Sequence, residues 1–361
     1  MGWKRYSLFP LSILLILLLL WWAGIGEIRE VLKNANADYL LLAVLVCIAS
    51  LITWALRWDV LLKSLGIRSP FKNVLAGLLI GVFVNNVTPG ARGGGEPVRM
   101  YYISKKTGEP YGHVFATVMM DRVSDVIPVV IMLLLATIHV YYLGSLTLSA
   151  AIFLIDFVFA VLLLSLLGIF LSERRTKNLL YWFYRRFKKL MPKKALKYES
   201  KFFHAVEVSV PQFQENFRRL LRHRRAFLMA LIYSGISWSL IVLRSYFIFL
   251  SLNYRIPLMS VLVVQVVGTV LGMMSVVPGG AGITEAINSA VYIFLGIDKE
   301  LAVTATVLDR LVSYWVPTVI GAVFTAHFGI SIEGTAQSES IKNDNDINDD
   351  VEGEVHREGS P

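Results

Sequence analysis

Residues Ser275–Glu285 read SVVPGGAGITE, and they lie inside an otherwise apolar stretch. Proline and glycine interrupt a helix, and a carboxylate at the centre of a membrane helix costs on the order of 2.5–3.5 kcal/mol. A break of this kind is tolerated at bilayer depth only where protein buries it or where it lines a wet cavity. The same device stands earlier in the chain. Slid back by 189 positions, Pro278-Gly279 falls on Pro89-Gly90 and Glu285 on Glu96. Ala305-Thr306-Val307 falls on Ala116-Thr117-Val118, Val312-Ser313 on Val123-Ser124, and Pro317 on Pro128, without a gap. An Asp-Arg pair follows in each half, Asp121-Arg122 and Asp309-Arg310, displaced by one residue. Apolar matches alone would be coincidence between leucine-rich regions. The Pro-Gly and Glu matches at one fixed offset indicate an internal duplication.

The chain is 55% hydrophobic and 17% charged, where soluble domains sit nearer a quarter charged. Several apolar runs are long enough for ~30 Å of hydrocarbon, so a polytopic helical membrane protein is expected. No alternating ten-residue strands suggest a transmembrane barrel. Cys47 is the single cysteine and lies in an apolar run, which excludes a disulfide framework and a cysteine metal site.

Lys4 and Arg5 precede the apolar run Leu8–Trp22. Trp21 and Trp22 occupy positions where small residues would precede a signal-cleavage site, so the run is read as an uncleaved first helix. Tyr39–Leu56 is the second helix, followed by the basic residues Arg57, Lys63, Arg68 and Lys72. Leu75–Val87 is apolar but spans only about 20 Å, too short to cross. With the break at Pro89–Glu96 it reads as a re-entrant hairpin. Spans follow from Val126 to about Tyr142, over Ser149–Leu171 and over Ala226–Leu252. Leu258–Val277 leads into the second break, and a re-entrant segment and a full crossing are both open for it. Leu301 to about Phe328 is the last span.

Residues 172–225 form a long loop with sixteen Lys/Arg against four Glu. Within it Leu179, Phe183, Phe187 and Met191 recur every four residues between basic ones, a pattern suited to lying on an anionic leaflet. No nucleic-acid role is expected. Basic segments mark the cytoplasmic side. Both termini are then cytoplasmic in a cell-membrane protein, and three spans separate the two hairpins. Three is odd, so the duplication is expected to have inverted topology. The fold class is therefore all-α: a polytopic membrane helix bundle with two inverted repeats, each containing a broken or re-entrant helix. The membrane domain covers 1–328, with repeat one at about 37–143 and repeat two at about 226–328. The acidic segment 329–361 has too few apolar residues to fold.

Inverted repeats with discontinuous helices are a recurring transporter architecture with a midplane site. The candidate substrate-binding residues are Pro89, Gly90, Arg92, Glu96, Arg99, Asp121 and Arg122 in the first half, and Pro278, Gly279, Gly280, Gly282, Glu285, Asp309 and Arg310 in the second. The arginines would balance a phosphate, and the two glutamates would take an amine or a proton. The structural alternatives are that Glu285 caps its half-helix and that each glutamate pairs with the arginine of its own half. Asp156 and Arg244 stand isolated in spans and are expected to pair with each other. His113 and His327 read as interfacial. No Gly-x-Ser-x-Gly, His-Glu-x-x-His or P-loop lysine occurs, so no catalytic residue, metal or cofactor is expected.

The segment Asn85-Asn86-x-x-Pro89-Gly90 through Gly95-Glu96-x-x-Arg99, then Asp121-Arg122-x-x-Asp125, then Val277-Pro278-Gly279-Gly280-x-Gly282-x-x-Glu285 resembles the flippase-like lysylphosphatidylglycerol synthase transmembrane family. The likeness extends over Leu8–Phe328. It implies a membrane lipid flippase or lipid transporter that shifts a headgroup between leaflets. Two-domain bacterial members of that family carry a fused synthase domain. Here only 329–361 follow the last span, so lysyl transfer is not carried over. Arg92 and Gly94 make the first break longer and more basic, which leans the substrate toward a phosphate-bearing lipid. The competing expectation is a non-transporting membrane partner that recruits a lipid-modifying or glycosylating enzyme.

Overall fold

A computed structural model describes residues 33, 35–88, 94–190, 199–273 and 277–328. The first apolar run Leu8–Trp22, the residues Pro89, Gly90 and Arg92, and the acidic segment 329–361 lie outside the described residues. The described residues up to Gly321 belong to one compact unit. The described part of the second, 322–328, is the end of the last helix.

Every described element is helical, and the order of elements repeats. Helices α1 (Ala37–Ser64), α2 (Phe71–Val87), α3 (Gly95–Thr107) and α4 (Tyr111–Tyr142) form the first series. Helix α5 (Leu146–Phe170) and the pair α6 (Glu173–Leu190) and α7 (Glu199–Arg222) follow. The second series is α8 (Arg224–Ser251), α9 (Leu258–Met273), α10 (Ile283–Phe294), α11 (Lys299–Arg310) and α12 (Val316–Phe328). One π turn, Leu311–Trp315, joins the last two. In each series a long helix is followed by a short apolar one, a glycine-containing break, a short half-helix and a long span.

Among the described residues, five stretches are long and apolar enough to cross a membrane: α1, α4, α5, α8 and Lys299–His327. Helices α2 and α9 are too short to count among them. At 1.5 Å per residue they reach only about 24–26 Å. Helix α5 faces outward for most of its length, exposing Phe153, Leu154, Phe157, Leu162 and Leu164, as a lipid-facing span does.

Helices α1 and α8 form the spine, and each has 28 residues. The backbone N–H of Asn36, just before α1, donates to the Ser251 carbonyl at the end of α8 at 2.7 Å. Near the other end of α1, Arg57 reaches Ser234 near the start of α8. The two helices therefore run antiparallel. Around them Ile248, Phe249, Val261, Val264 and Tyr292 build one apolar cluster. Val129, Leu133, Ile152, Trp238, Val263 and Val266 build another.

Two expectations need correction. The second helix does not stop at Leu56. It continues to Ser64, and Arg57 and Trp58 are buried rather than surface residues of a basic loop. The reason is that Asp121 and Asp125 neutralise Arg57 inside the bundle, which charge counting along the sequence cannot register. Residues 172–225 are likewise not an open loop. Helix α7 buries Phe213, Phe217 and Leu220 against Leu61, Ala116, Met120 and Ala230. Helix α6 docks on α7 through Tyr184 stacked on Phe202 and through Lys188 paired with Glu199.

Candidate functional site

The first break leads into α3, whose first turn carries Glu96 where the positive end of the helix dipole favours an acid. The Gly95 N–H donates to Asn85 Oδ1 at 2.7 Å, tying the half-helix back to α2. Glu96 pairs with Arg122 of α4. One residue earlier, Asp121 takes two arginines, Arg57 Nε at 2.6 Å and Arg99 Nη2 at 3.0 Å. Arg57 also holds Asp125 at 2.6 Å and Ser234 Oγ at 2.6 Å. Arg99 lies flat over the Trp58 ring, 4.2 Å from its centroid, and Trp58 donates to Thr117. Gly81 allows this, because a Cβ there would strike the Arg99 side chain. Arg57, Gly81, Arg99, Asp121, Arg122 and Asp125 line a narrow cleft of about 20 Å³, with Trp54, Leu78 and Val82 on its apolar side.

The second break is built from the same parts. Gly279, Gly280 and Gly282 have φ of 59°, 70° and 83°, the left-handed region where a side chain is strained. Glu285, the third residue of α10, accepts the Gly282 N–H at 2.7 Å, so it does cap the half-helix. The same carboxylate pairs with Arg310 Nε at 3.0 Å. Arg310 also donates to the Gly279 carbonyl and lies over the Tyr314 ring. It holds the place, between carboxylate and freed carbonyl, that an exogenous amine or cation would take. On the spine helix, Arg244 grips Asp309 with two bonds of 3.0 Å, and Ser245 adds a third contact at 2.7 Å.

Each half thus pairs a spine arginine with an aspartate and a half-helix glutamate with the next arginine. Arg57–Asp121 with Glu96–Arg122 is matched by Arg244–Asp309 with Glu285–Arg310. The second break also meets the end of α2. Tyr314 packs against Gly279, where a Cβ would overlap its ring, and its hydroxyl donates to the Asn86 carbonyl at 3.0 Å. Asn86 in turn donates to Thr318 at 2.7 Å.

The partner expected for Arg244 was wrong. Arg244 pairs with Asp309, while Asp156 is buried on α5 and its Oδ1 has no hydrogen-bond partner within the protein. A helix facing mostly lipid cannot bring Asp156 to the spine. Arg57, Asn86 and Tyr314 were missed as site residues. Arg57 and Arg244 stand within two positions of the repeat offset, a signal present in the sequence.

A further feature is chemical. The buried residues of α10 are Thr284, Glu285, Asn288, Ser289 and Tyr292, all polar, while Phe294 on the same helix is exposed. The helix is inside out, apolar toward its surroundings and polar toward the protein. Thr284 Oγ1, Asn288 Oδ1 and Ser289 Oγ have no hydrogen-bond partner within the protein. Each such atom costs about 1–3 kcal/mol when left unsatisfied.

The sequence model of the lysylphosphatidylglycerol synthase transmembrane region matches residues 10–321. The chain belongs to that family. It is 39% identical to a UPF0104 membrane protein of Pyrococcus horikoshii, over 89% of this chain and 96% of that one. It is 30% identical to a UPF0104 membrane protein of Methanocaldococcus jannaschii, over 89% and 94%. A glycosyltransferase of Haloferax volcanii, AglD, is 25% identical over 87% of this chain but only 52% of its own length. This member of the lysylphosphatidylglycerol synthase transmembrane-region family is a multi-pass membrane protein, and both breaks and all four ion pairs fall within the matched residues.

Proposed function

We propose that the protein carries a phosphate-bearing lipid headgroup between leaflets by alternating access of two halves of inverted topology. The observation that carries this reading is the doubled ion-pair set, each copy at a helix break, mounted on spine helices that run antiparallel. The family and the repeated order of elements support it. Discontinuous helices with positive half-helix ends turned to a common centre are how many carriers hold an anionic group away from water.

In this reading Pro89–Glu96 and Pro278–Glu285 line the site. Arg122 is the entry residue: its side chain is 41% exposed while its partner Glu96 is only 10% exposed. A phosphate arriving there takes Arg122 from Glu96, Arg92 and Arg99 complete the balance of charge, and Arg310 stays with Glu285. The released glutamate then takes a proton or a headgroup amine. Termini and the basic segment 172–225 lie on the cytoplasmic side, with the exposed Trp182, Phe183 and Phe187 of α6 seated on an anionic leaflet. The protein performs no chemistry on the lipid.

The test is headgroup accessibility in proteoliposomes. Glu96→Gln and Glu285→Gln should each slow lipid movement at least tenfold. Wild-type rates in both variants would remove the assigned roles.

A second reading is a non-transporting membrane partner of a lipid-modifying or glycosylating enzyme. The match to half of a protein named a glycosyltransferase favours it. Deleting 331–361 and neutralising Arg185, Arg186 and Lys189 would abolish recruitment but leave lipid movement intact.

A further inference from the structure

We propose that the buried face of α10 is a neutral hydrogen-bonding subsite for the hydroxyl-rich part of a lipid headgroup, a sugar or polyol ring. The proposal deepens the lipid-carrying reading and rests on it for its place in a transport cycle.

The starting point is the inverted face of α10. Three side chains that hydrogen-bond, Thr284, Asn288 and Ser289, are each at least nine-tenths buried, and each has an atom without a partner. The Thr306 hydroxyl on α11 is in the same condition. Thr284 and Ser289 are hydroxyls, which both give and accept, and Asn288 carries a carbonyl oxygen that sits against Gly268. A helix that only needed to fill space here would carry Leu or Ala.

Charge decides what such a face selects. Glu285 is already engaged by Arg310 and by the Gly282 N–H, so no uncompensated carboxylate remains for an amine or a metal cation. Arg310 is bound to that carboxylate and to the Gly279 carbonyl, so no free cation remains for a phosphate. What is left is neutral donors and acceptors, the complement of a ring of hydroxyls.

The two halves differ at one equivalent place. In the first half the close approach to Gly81 is filled by Arg99, which is bound to Asp121. In the second half the close approach to Gly268 is filled by Asn288. At the 189-residue offset Asn288 is the counterpart of Arg99, so a charged position in one half is a neutral amide in the other. The first cleft therefore suits the phosphate and α10 the uncharged remainder of the same headgroup. Thr284 and Tyr292 are eight residues apart, about 12 Å along the axis, enough for one or two sugar rings. At the far end the Tyr292 hydroxyl lies beside Gln265, which adds an amide.

The experiment uses the full-length protein in nanodiscs that contain equal amounts of phosphatidylinositol and phosphatidic acid, with retained lipid read by native mass spectrometry. Phosphatidylinositol should be kept at least fivefold over phosphatidic acid. Ser289→Ala and Asn288→Leu should each remove that preference while phosphatidic acid retention stays unchanged. Protection of the buried Cys47 thiol confirms that each variant is folded. If Asn288→Leu fails this check, the near-isosteric Ser289→Ala decides. Equal retention of both lipids by the wild type, or variants that lower both in step, overturns the subsite. Free inositol at matched concentration should not displace the lipid, and displacement would overturn the lipid assignment. A protein that keeps the phosphatidylinositol preference but moves neither lipid across a bilayer overturns the transport reading and leaves the subsite standing.

Discussion

Replacing Arg57 by methionine tests whether the spine pair is structural in the way the distances imply. Arg57 is 2% exposed and bonds Asp121, Asp125 and Ser234, each at 2.6 Å. Methionine fills much of the volume, so the change isolates the charge. Asp121 keeps Arg99 at 3.0 Å, but Asp125, only 13% exposed, loses the single cation it is bound to. Removing one partner of a buried pair costs about 3–5 kcal/mol. For a protein of this size that corresponds to a melting point roughly 4–7 °C lower. The control is Lys63→Met, whose ion pair with Asp59 leaves the lysine 60% exposed and should be worth less than about 1 kcal/mol. The assay is built into the chain: Cys47 is the single cysteine and is 2% exposed, so a thiol-reactive dye reports unfolding directly. Arg57→Met/Asp125→Asn should lose less than the two single changes summed, because the second change removes the stranded charge. A melting point for Arg57→Met within 2 °C of the Lys63→Met control would refute the reasoning.

Three further outcomes are expected. Gly279→Ala should prevent stable folding or lower the melting point more than the same change at Gly280 or Gly282. It combines a φ of 59° with a clash against the Tyr314 ring, and thermal unfolding of all three break glycines changed to alanine checks the order. Tyr314→Phe keeps the ring on Gly279 but drops the bond to Asn86, and should cost about 0.5–1.5 kcal/mol in the same assay. The docking of α6 on α7 should resist neutral pH but loosen in acid. Lys177 first, and Tyr181 second, hold the Glu207 carboxyl below the usual carboxylate range. A depressed pKa contributes stability above the ordinary value of about 4.3 and loses it as pH falls through the lower one, so Trp182 fluorescence should be flat from pH 8 to 5 and shift below about 4.

What the sequence made legible was whatever violates the chemistry of a lipid-facing helix. Pro278, the glycines and Glu285 stand out because oil does not tolerate them, and their recurrence at Pro89, Gly90 and Glu96 is what pointed to a repeat. Arg57 was hidden for the opposite reason. It is followed by Lys63, Arg68 and Lys72, and a rule that counts positive charges places it in water. Only the fold shows that Asp121 and Asp125 face it. Helix α7 was masked by its charge, although Val206, Val210, Phe213, Phe217 and Leu220 recur at helical spacing. Tyr314 carries no local mark at all, since an aromatic residue in an apolar span is ordinary until its ring is seen against Gly279.

The ionic groups gathered at the breaks have one electrical consequence. Among the described residues Arg57, Arg99 and Arg122 stand against Glu96, Asp121 and Asp125, and Arg244 and Arg310 against Glu285 and Asp309. Each set sums to zero. An electric field across the membrane works on displaced net charge, about 2.3 kcal/mol per unit charge per 100 mV, and these sets offer it none. An unloaded rearrangement of the two halves would therefore move no current through these groups.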